Sequence, residues 1–230
     1  YSFDATVWLD SITISNCGAS GGWFYAQEAG ASINIGTLLS GAAAGHGATS
    51  SPTVTQTGSG VSRSDDFNRA NTTGLGANWT APTGVTAPDI VSNAAASPSG
   101  VRAAYWSADT FGSDQFSQVT SYSASSGPAV RVQSGAHTCY VATASYDFGP
   151  DDGTYAVSLT RVSSGGSIEL NSASGATPGV LRIEASGTTI TVKMGGVTVI
   201  THTDANISGG QPGVRIGSGA QVDGWSGGDL

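Results

Sequence analysis

The chain has 230 residues and a formal net charge of −8, and only 10% of its positions are charged, against about 25% in an average soluble domain. Its eight Lys and Arg residues are scattered and form no basic stripe, which argues against binding nucleic acid through phosphates or adhering to an anionic membrane. No apolar run reaches the roughly 18 residues of a membrane helix, and low charge without low hydrophobicity does not fit disorder.

The sequence begins at Tyr1 with no visible signal peptide, as expected of a processed chain, a fragment or a sequence lacking its start. Residues 1–60 stand apart. "ATVWLDSITIS", "GWFYAQE" and "ASINIG" read as short strands, and "SGAAAGHGATSSPTVTQTGSG" as a linker-like stretch. The best helix candidate, "GTLLSGAAAG", is cut by Gly at both ends and inside. Sixty residues of this kind are too few for an independent core. The segment is expected to attach the chain to its own main domain or to another subunit, or to be the tail of a preceding domain. Cys17 and Cys139 either bridge this segment to the main body or remain buried free thiols. A bridge over so long a loop would stabilise by about 4–5 kcal/mol in the chain-entropy model.

A different texture begins near residue 64, with "SDDFNRANTTGLGANWTA". Farther on, "AAYWSADTFGSDQF" concentrates Tyr105, Trp106, Asp109, Phe111, Asp114 and Gln115 around one strand end. Aromatic faces pack on the apolar faces of sugar rings, and carboxylates and amides take the hydroxyls. The competing reading places Tyr105 or Trp106 in the core. Because the two alternate, one should face outward unless both faces of the strand are covered.

"YDFGPDDGTY" brings Asp147, Asp151 and Asp152 into one turn. It is read as an ordinary acidic turn, with oxygen ligation of calcium as the alternative. Then comes period-2 alternation. "TYAVSLTRVS" places Tyr155, Val157 and Leu159 on one face, and "VLRIEAS" places Leu181, Ile183 and Ala185 on one face. In "TTITVKMGGVTVITHT", Gly195 and Gly196 separate two β-branched runs, which predicts a hairpin closed by a type I′ turn. Turn signals recur throughout, including "SSGP" at 125–128, "SSGG" at 163–166 and "SGGQPG" at 208–213. Many short strands at this spacing predict a sandwich or barrel rather than a βαβ sheet.

Three stretches carry a resemblance: "SDDFNRANTTGLGANWTA", "DIVSNAAA" and the closing "GGQPGVRIGSGAQVDGWSGGDL". Through them the chain resembles the concanavalin A-like lectin/glucanase superfamily, especially laminin-G-like jelly rolls of phage structural and secreted bacterial proteins. The resemblance implies an all-β sandwich over residues 61–230, with Phe67 and Trp79 as core anchors and the last strand paired beside the first. Phe67 and Trp225 are then expected in one apolar layer. A bacterial or phage setting makes the N-x-Ser/Thr sequons at Asn71, Asn78 and Asn206 chance matches.

Sugar hydrolysis in that superfamily uses paired acidic residues, and retaining chemistry needs carboxyls about 5–5.5 Å apart. No Asp or Glu here lies two residues from another, and the adjacent pairs Asp65–Asp66 and Asp151–Asp152 would point to opposite strand faces. His46, His137 and His202 sit in no nucleophile motif, and no Cys or His pair has zinc spacing. No catalytic residue and no cofactor is therefore expected, with calcium as the one alternative. The expected function is a non-catalytic recognition module that binds glycan or cell envelope, extracellular or on a virion surface. Its expected partners are a cell-surface ligand and copies of itself. The alternatives are a structural virion or filament subunit and, with less support, a glycan-degrading enzyme.

Overall fold

The structure, a computed structural model, describes residues 60–146 and 153–230. The three short strands expected at 5–15, 22–28 and 31–36 and the helix candidate at 36–45, together with Cys17, His46, Asp147, Asp151 and Asp152, lie outside the described residues.

Gly, Pro and hydroxyl side chains at the turns, with β-branched and aromatic residues between them, leave strands as the outcome. No helix occurs among the described residues. Strands are numbered in chain order. One sheet runs β13 (Val197–Thr203), β12 (Thr189–Met194), β11 (Leu181–Ser186), β6 (Gln115–Tyr122), β15 (Gln221–Asp229), β4 (Ala94–Ala96), β3 (Asp89–Val91), with β1 (Ser62–Asp65) also on β15. The second runs β10 (Gly166–Ala176), β9 (Tyr155–Ser163), β8 (Cys139–Tyr146), β7 (Gly127–Val132), β14 (Gln211–Ile216), β5 (Arg102–Trp106), β2 (Trp79–Thr80). All strand pairs are antiparallel. The chain passes between the sheets after β1, β2, β4, β5, β6, β10, β13 and β14, giving an all-antiparallel sandwich of two sheets.

The first and last strands pair as the motifs imply, with Asp65 opposite Trp225. Between the sheets, Phe67 is fully buried and packs on Trp79, ring centroids 5.8 Å apart. Trp79 meets Trp225 edge-on at 4.6 Å and Trp106 edge-on at 5.5 Å, and Trp106 stacks on Trp225 at 5.5 Å. The expected neighbourhood of Phe67 and Trp225 is thus made through Trp79. Asp65 holds the opening turn. It accepts the Phe67 N–H at 2.8 Å, the Arg69 guanidinium at 2.6 and 3.0 Å and the Trp79 indole N–H at 2.8 Å. Burial alone would raise the Asp65 pKa, but these donors hold it below the usual carboxylate range.

The hairpin between β12 and β13 follows the sequence reading. Gly195 and Gly196 have φ of 58° and 84°, as a type I′ turn requires. Ile190, Val192 and Met194 face the core, as do Val157, Leu159, Leu181, Ile183 and Ala185. The turn expected at 208–213 is shorter than its residues indicate. Gln211, Pro212 and Gly213 already belong to β14, where Pro212 sits at a register shift against β7. A proline is tolerated at such an irregularity because no ladder donor is needed there.

The outer face of the second sheet is itself partly apolar. Tyr105, Ala129, Val132, Cys139, Val141 and Val162 form a second buried cluster. Thr83 donates from both its N–H and its hydroxyl to the Ser134 carbonyl, at 3.0 and 3.1 Å, and Thr86 bridges Arg102. The segment 81–85 is thereby laid over this face, with Pro82 buried. Both faces of β5 are covered, which is why Tyr105 and Trp106 are both buried despite their alternation. Cys139 is a buried free thiol here, its pKa pushed up to about 12 by burial.

Removing Trp106, at 5% exposure, should cost about 3–5 kcal/mol, so Trp106→Ala should shift the urea midpoint strongly. A shift no larger than that of an exposed Thr→Ala control would contradict its core position. A second expectation concerns acid. Burial favours protonation of Asp204, but the Tyr140 hydroxyl, the Asn206 backbone and amide, and Arg161 outweigh it and bring the Asp204 pKa to about 2. A depressed carboxylate stabilises above its unfolded pKa and loses that contribution as pH falls through the folded one. Asp204 should therefore contribute roughly 2 kcal/mol that fades between about pH 4 and about pH 2. Asp204→Asn should flatten that part of the stability curve in urea titrations at stepped pH.

Candidate functional site

Where β5 ends, the chain must leave the sheet, and the short polar loop 107–110 turns back over its own last residues. Asp109 fixes the loop. Its carboxylate accepts the Trp106 indole N–H at 2.8 Å and the Arg63 guanidinium in bidentate fashion at 2.8 and 2.6 Å. The Arg63 hydrogen bond, then that of Trp106, holds the Asp109 pKa below the usual carboxylate range. The Phe111 N–H donates to the Gln211 side-chain oxygen at 3.3 Å, tying the loop to β14.

The opposite wall comes from the turn 133–136 after β7 and from the loop before β14. Between the walls lies an open groove of about 600 Å³, within the range of about 300–1,000 Å³ typical of ligand sites. Tyr105 and Val132 form its apolar part. Asp109, Gln133 and Gln211 supply a carboxylate and two amides, and Ser107, Thr110 and Ser134 supply hydroxyls. Gln133, Ser134, Ser107 and Thr110 are exposed. A rim of amides and hydroxyls over a floor closed by the buried Tyr105 and Val132 suits a polyhydroxylated ligand, because each hydroxyl finds a donor or acceptor.

Beneath the groove, a buried polar lattice sets the loops. Arg131 is 1% exposed, with a backbone φ of 54°. Its guanidinium donates to the carbonyls of Ser113 at 3.1 and 3.0 Å, Ile207 at 2.7 Å and Gly187 at 2.7 Å. Gln115 accepts the Arg131 N–H at 3.0 Å and donates to the carbonyls of Gly112 at 2.7 Å and Gly210 at 3.0 Å. At Gly210, φ is 141°, and a Cβ would lie 2.6 Å from the Arg131 carbonyl oxygen and 2.7 Å from that of Val132. Only glycine fits this lip of the groove.

Of the residues singled out in 105–115, Tyr105 and Asp109 line the groove together. Trp106 lies in the aromatic core, and Gln115 is wholly buried with its amide spent on Arg131 and two carbonyls. Phe111 is also buried. Asp114 is exposed, accepts the Gly187 N–H at 2.8 Å and the Ser186 hydroxyl at 3.0 Å, and does not line the groove. The sequence reading did not include Gln133, Ser134, Gly209, Gly210 or Gln211. Their stretches carried only turn chemistry, and their convergence on Tyr105 depends on β14 lying between β5 and β7.

The carboxylates of the described residues are taken up by structural donors. Each acidic side chain among the described residues accepts a hydrogen bond or an ion pair. Asp65, Asp109, Glu184 and Asp204 are all held below the usual carboxylate range. Glu184, for example, is shared by Arg182 at 2.6 Å and Lys193 at 2.9 Å. His137 is buried, and burial followed by the charge of Arg215 lowers its pKa. No group of three or more His, Cys, Asp or Glu gathers as metal ligands among the described residues.

No protein-family model matches the sequence, and no curated protein matches it. Solved structures do. The chain is similar to the carbohydrate binding module CBM66 from Bacillus subtilis at 17% identity and a TM-score of 0.42, covering 66% of this chain and 92% of that one. It is similar to a legume lectin-like domain from Entamoeba histolytica at 14% identity and a TM-score of 0.38, covering 66% and 90%. It is also similar to the kappa-carrageenase of Pseudoalteromonas carrageenovora at 11% identity and a TM-score of 0.39, covering 78% and 98%. The likeness is one of fold.

Gly210→Ala should destabilise by at least about 2 kcal/mol, since it forces the lip off two carbonyls. Gln133→Ala, at an exposed position, should leave the melting temperature unchanged. Thermal unfolding of both variants checks the contrast, and equal effects would contradict the rigid lip.

Proposed function

We propose that this sandwich is a non-catalytic module that binds glycans in the groove floored by Tyr105. The observation that supports it is the groove itself: one aromatic side chain with the amides of Gln133 and Gln211 and the Asp109 carboxylate around it. Asp109 is locked by Arg63 and Trp106, so it is positioned to accept hydroxyl protons and not to donate a proton to a leaving group. The carboxylates described in the sandwich serve as acceptors for structural donors, which favours recognition over turnover. The module is read as extracellular or carried on a virion surface, where a ligand of this class is met. Residues 1–60 are read as the segment that anchors or assembles it.

Binding of the purified chain to an array of plant, algal and microbial polysaccharides tests the reading. At least one glycan should bind, Gln133→Ala should weaken it tenfold or more, and no reducing ends should appear on prolonged incubation. Binding unchanged by Gln133→Ala would move the site elsewhere. Release of reducing ends lost on a single Asp→Asn substitution would make the protein an enzyme. Sedimentation of the full chain beside residues 61–230 tests the assembly role, with the shorter chain expected as a monomer and the full chain as a larger species.

A further inference from the structure

Resting on the glycan reading, we infer that the ligand is a chain of several sugar units lying across two adjoining basins, and not a single terminal sugar. The second basin, about 330 Å³, lies on the far side of the β5 end. Ser64, Asn78, Trp106 and the exposed Gly76–Ala77 turn line it, with the Asp65–Arg69 pair behind.

The two basins share one wall. Asp109 lines the first, and Trp106, which donates to its carboxylate, lines the second. Between them runs a ridge built where the loop after β5 meets β2 and the residue before it. The Ser107 N–H donates to the Asn78 carbonyl at 2.8 Å, and the Ser107 hydroxyl to the same oxygen at 3.3 Å. The Thr80 hydroxyl donates to the Ser107 hydroxyl at 2.8 Å. All three residues are exposed.

A site for a single terminal sugar would need an end wall, and the ridge is a poor one. It is made of exposed hydroxyls and a carbonyl. A sugar chain can cross such a surface by replacing water with its own hydroxyls, because the ridge offers donors and acceptors and no apolar barrier. Each basin lies within the range of about 300–1,000 Å³ for ligand sites, the second near its lower end. The Arg63–Asp109 pair, fixed by two hydrogen bonds, then serves units on both sides of the crossing. Because its geometry is already set, little ordering remains to be done when the ligand arrives.

The experiment measures affinity of the full chain against laminari-, cello-, xylo- and malto-oligosaccharide ladders of two to eight units, by calorimetry. The best ladder should gain at least tenfold in affinity from the dimer to the hexamer. Ala77→Trp, which fills the second basin, should abolish that gain and leave dimer affinity unchanged. Gln133→Ala, in the first basin, should weaken every length. Thermal unfolding confirms that both variants are folded. Affinity that is already maximal at the dimer, or a length gain that Ala77→Trp leaves intact, overturns the two-basin inference and leaves the glycan reading standing. Absence of binding by any ladder and by any glycan on the array overturns both.

Discussion

Three indole N–H groups have to be satisfied inside one apolar layer, and the sandwich is arranged around that requirement. A buried indole N–H without an acceptor costs about 1–3 kcal/mol. Trp79 donates to Asp65, Trp106 to Asp109 and Trp225 to the Ser117 hydroxyl. These acceptors lie on the first strand, on the loop after β5 and on the central strand β6. Packing the three rings together therefore draws the domain's opening, middle and end to one place. The same bonds fix the opening turn through Asp65 and the rim of the groove through Asp109. Core packing and site geometry are one constraint read from two sides.

The other wall of the groove depends on a buried cation. Burying a guanidinium is expensive unless its donors are met. Arg131 meets them with carbonyls from loops 112–114, 186–187 and 207–210. Three loops that share no sequence neighbourhood are thus tied to one side chain, with Gln115 closing the lattice. The loop before β14, held this way through Ile207 and Gly210, presents Gln211 in a set position. Little ordering of these loops is then left for a ligand of the groove to impose.

The fold sends the residues of the aromatic stretch 103–116, read as a candidate binding platform, to different places for a physical reason. Alternation along β5 does send Tyr105 and Trp106 to opposite faces. It does not say what covers the outer face. Segment 81–85, pinned to Ser134, covers that face and leaves Tyr105 open only at the groove. Asp109 remained at the rim because its bonds to Arg63 and Trp106 hold it there. Gln115 went inward because β6 is the central strand of its sheet and its first residue lies beneath the Arg131 bulge.

The sequence by itself determined the all-β class, the hairpin at Gly195–Gly196, the shared faces of Val157 with Leu159, of Leu181, Ile183 and Ala185, and of Ile190, Val192 and Met194, and the opening and closing motifs that pair in β1 and β15. These are local properties: side-chain period, turn chemistry and the conformational freedom of glycine act within a few residues. Only the tertiary structure decided the site. Gln133 and Gln211 are 78 positions apart in the chain by their numbering, and nothing local distinguishes either from an ordinary turn residue. They face one another because β14, arriving last but one, inserts between β5 and β7. The burial of Trp106 has the same origin, since a strand's two faces are fixed by its own residues but covered by segments that lie far away in the chain.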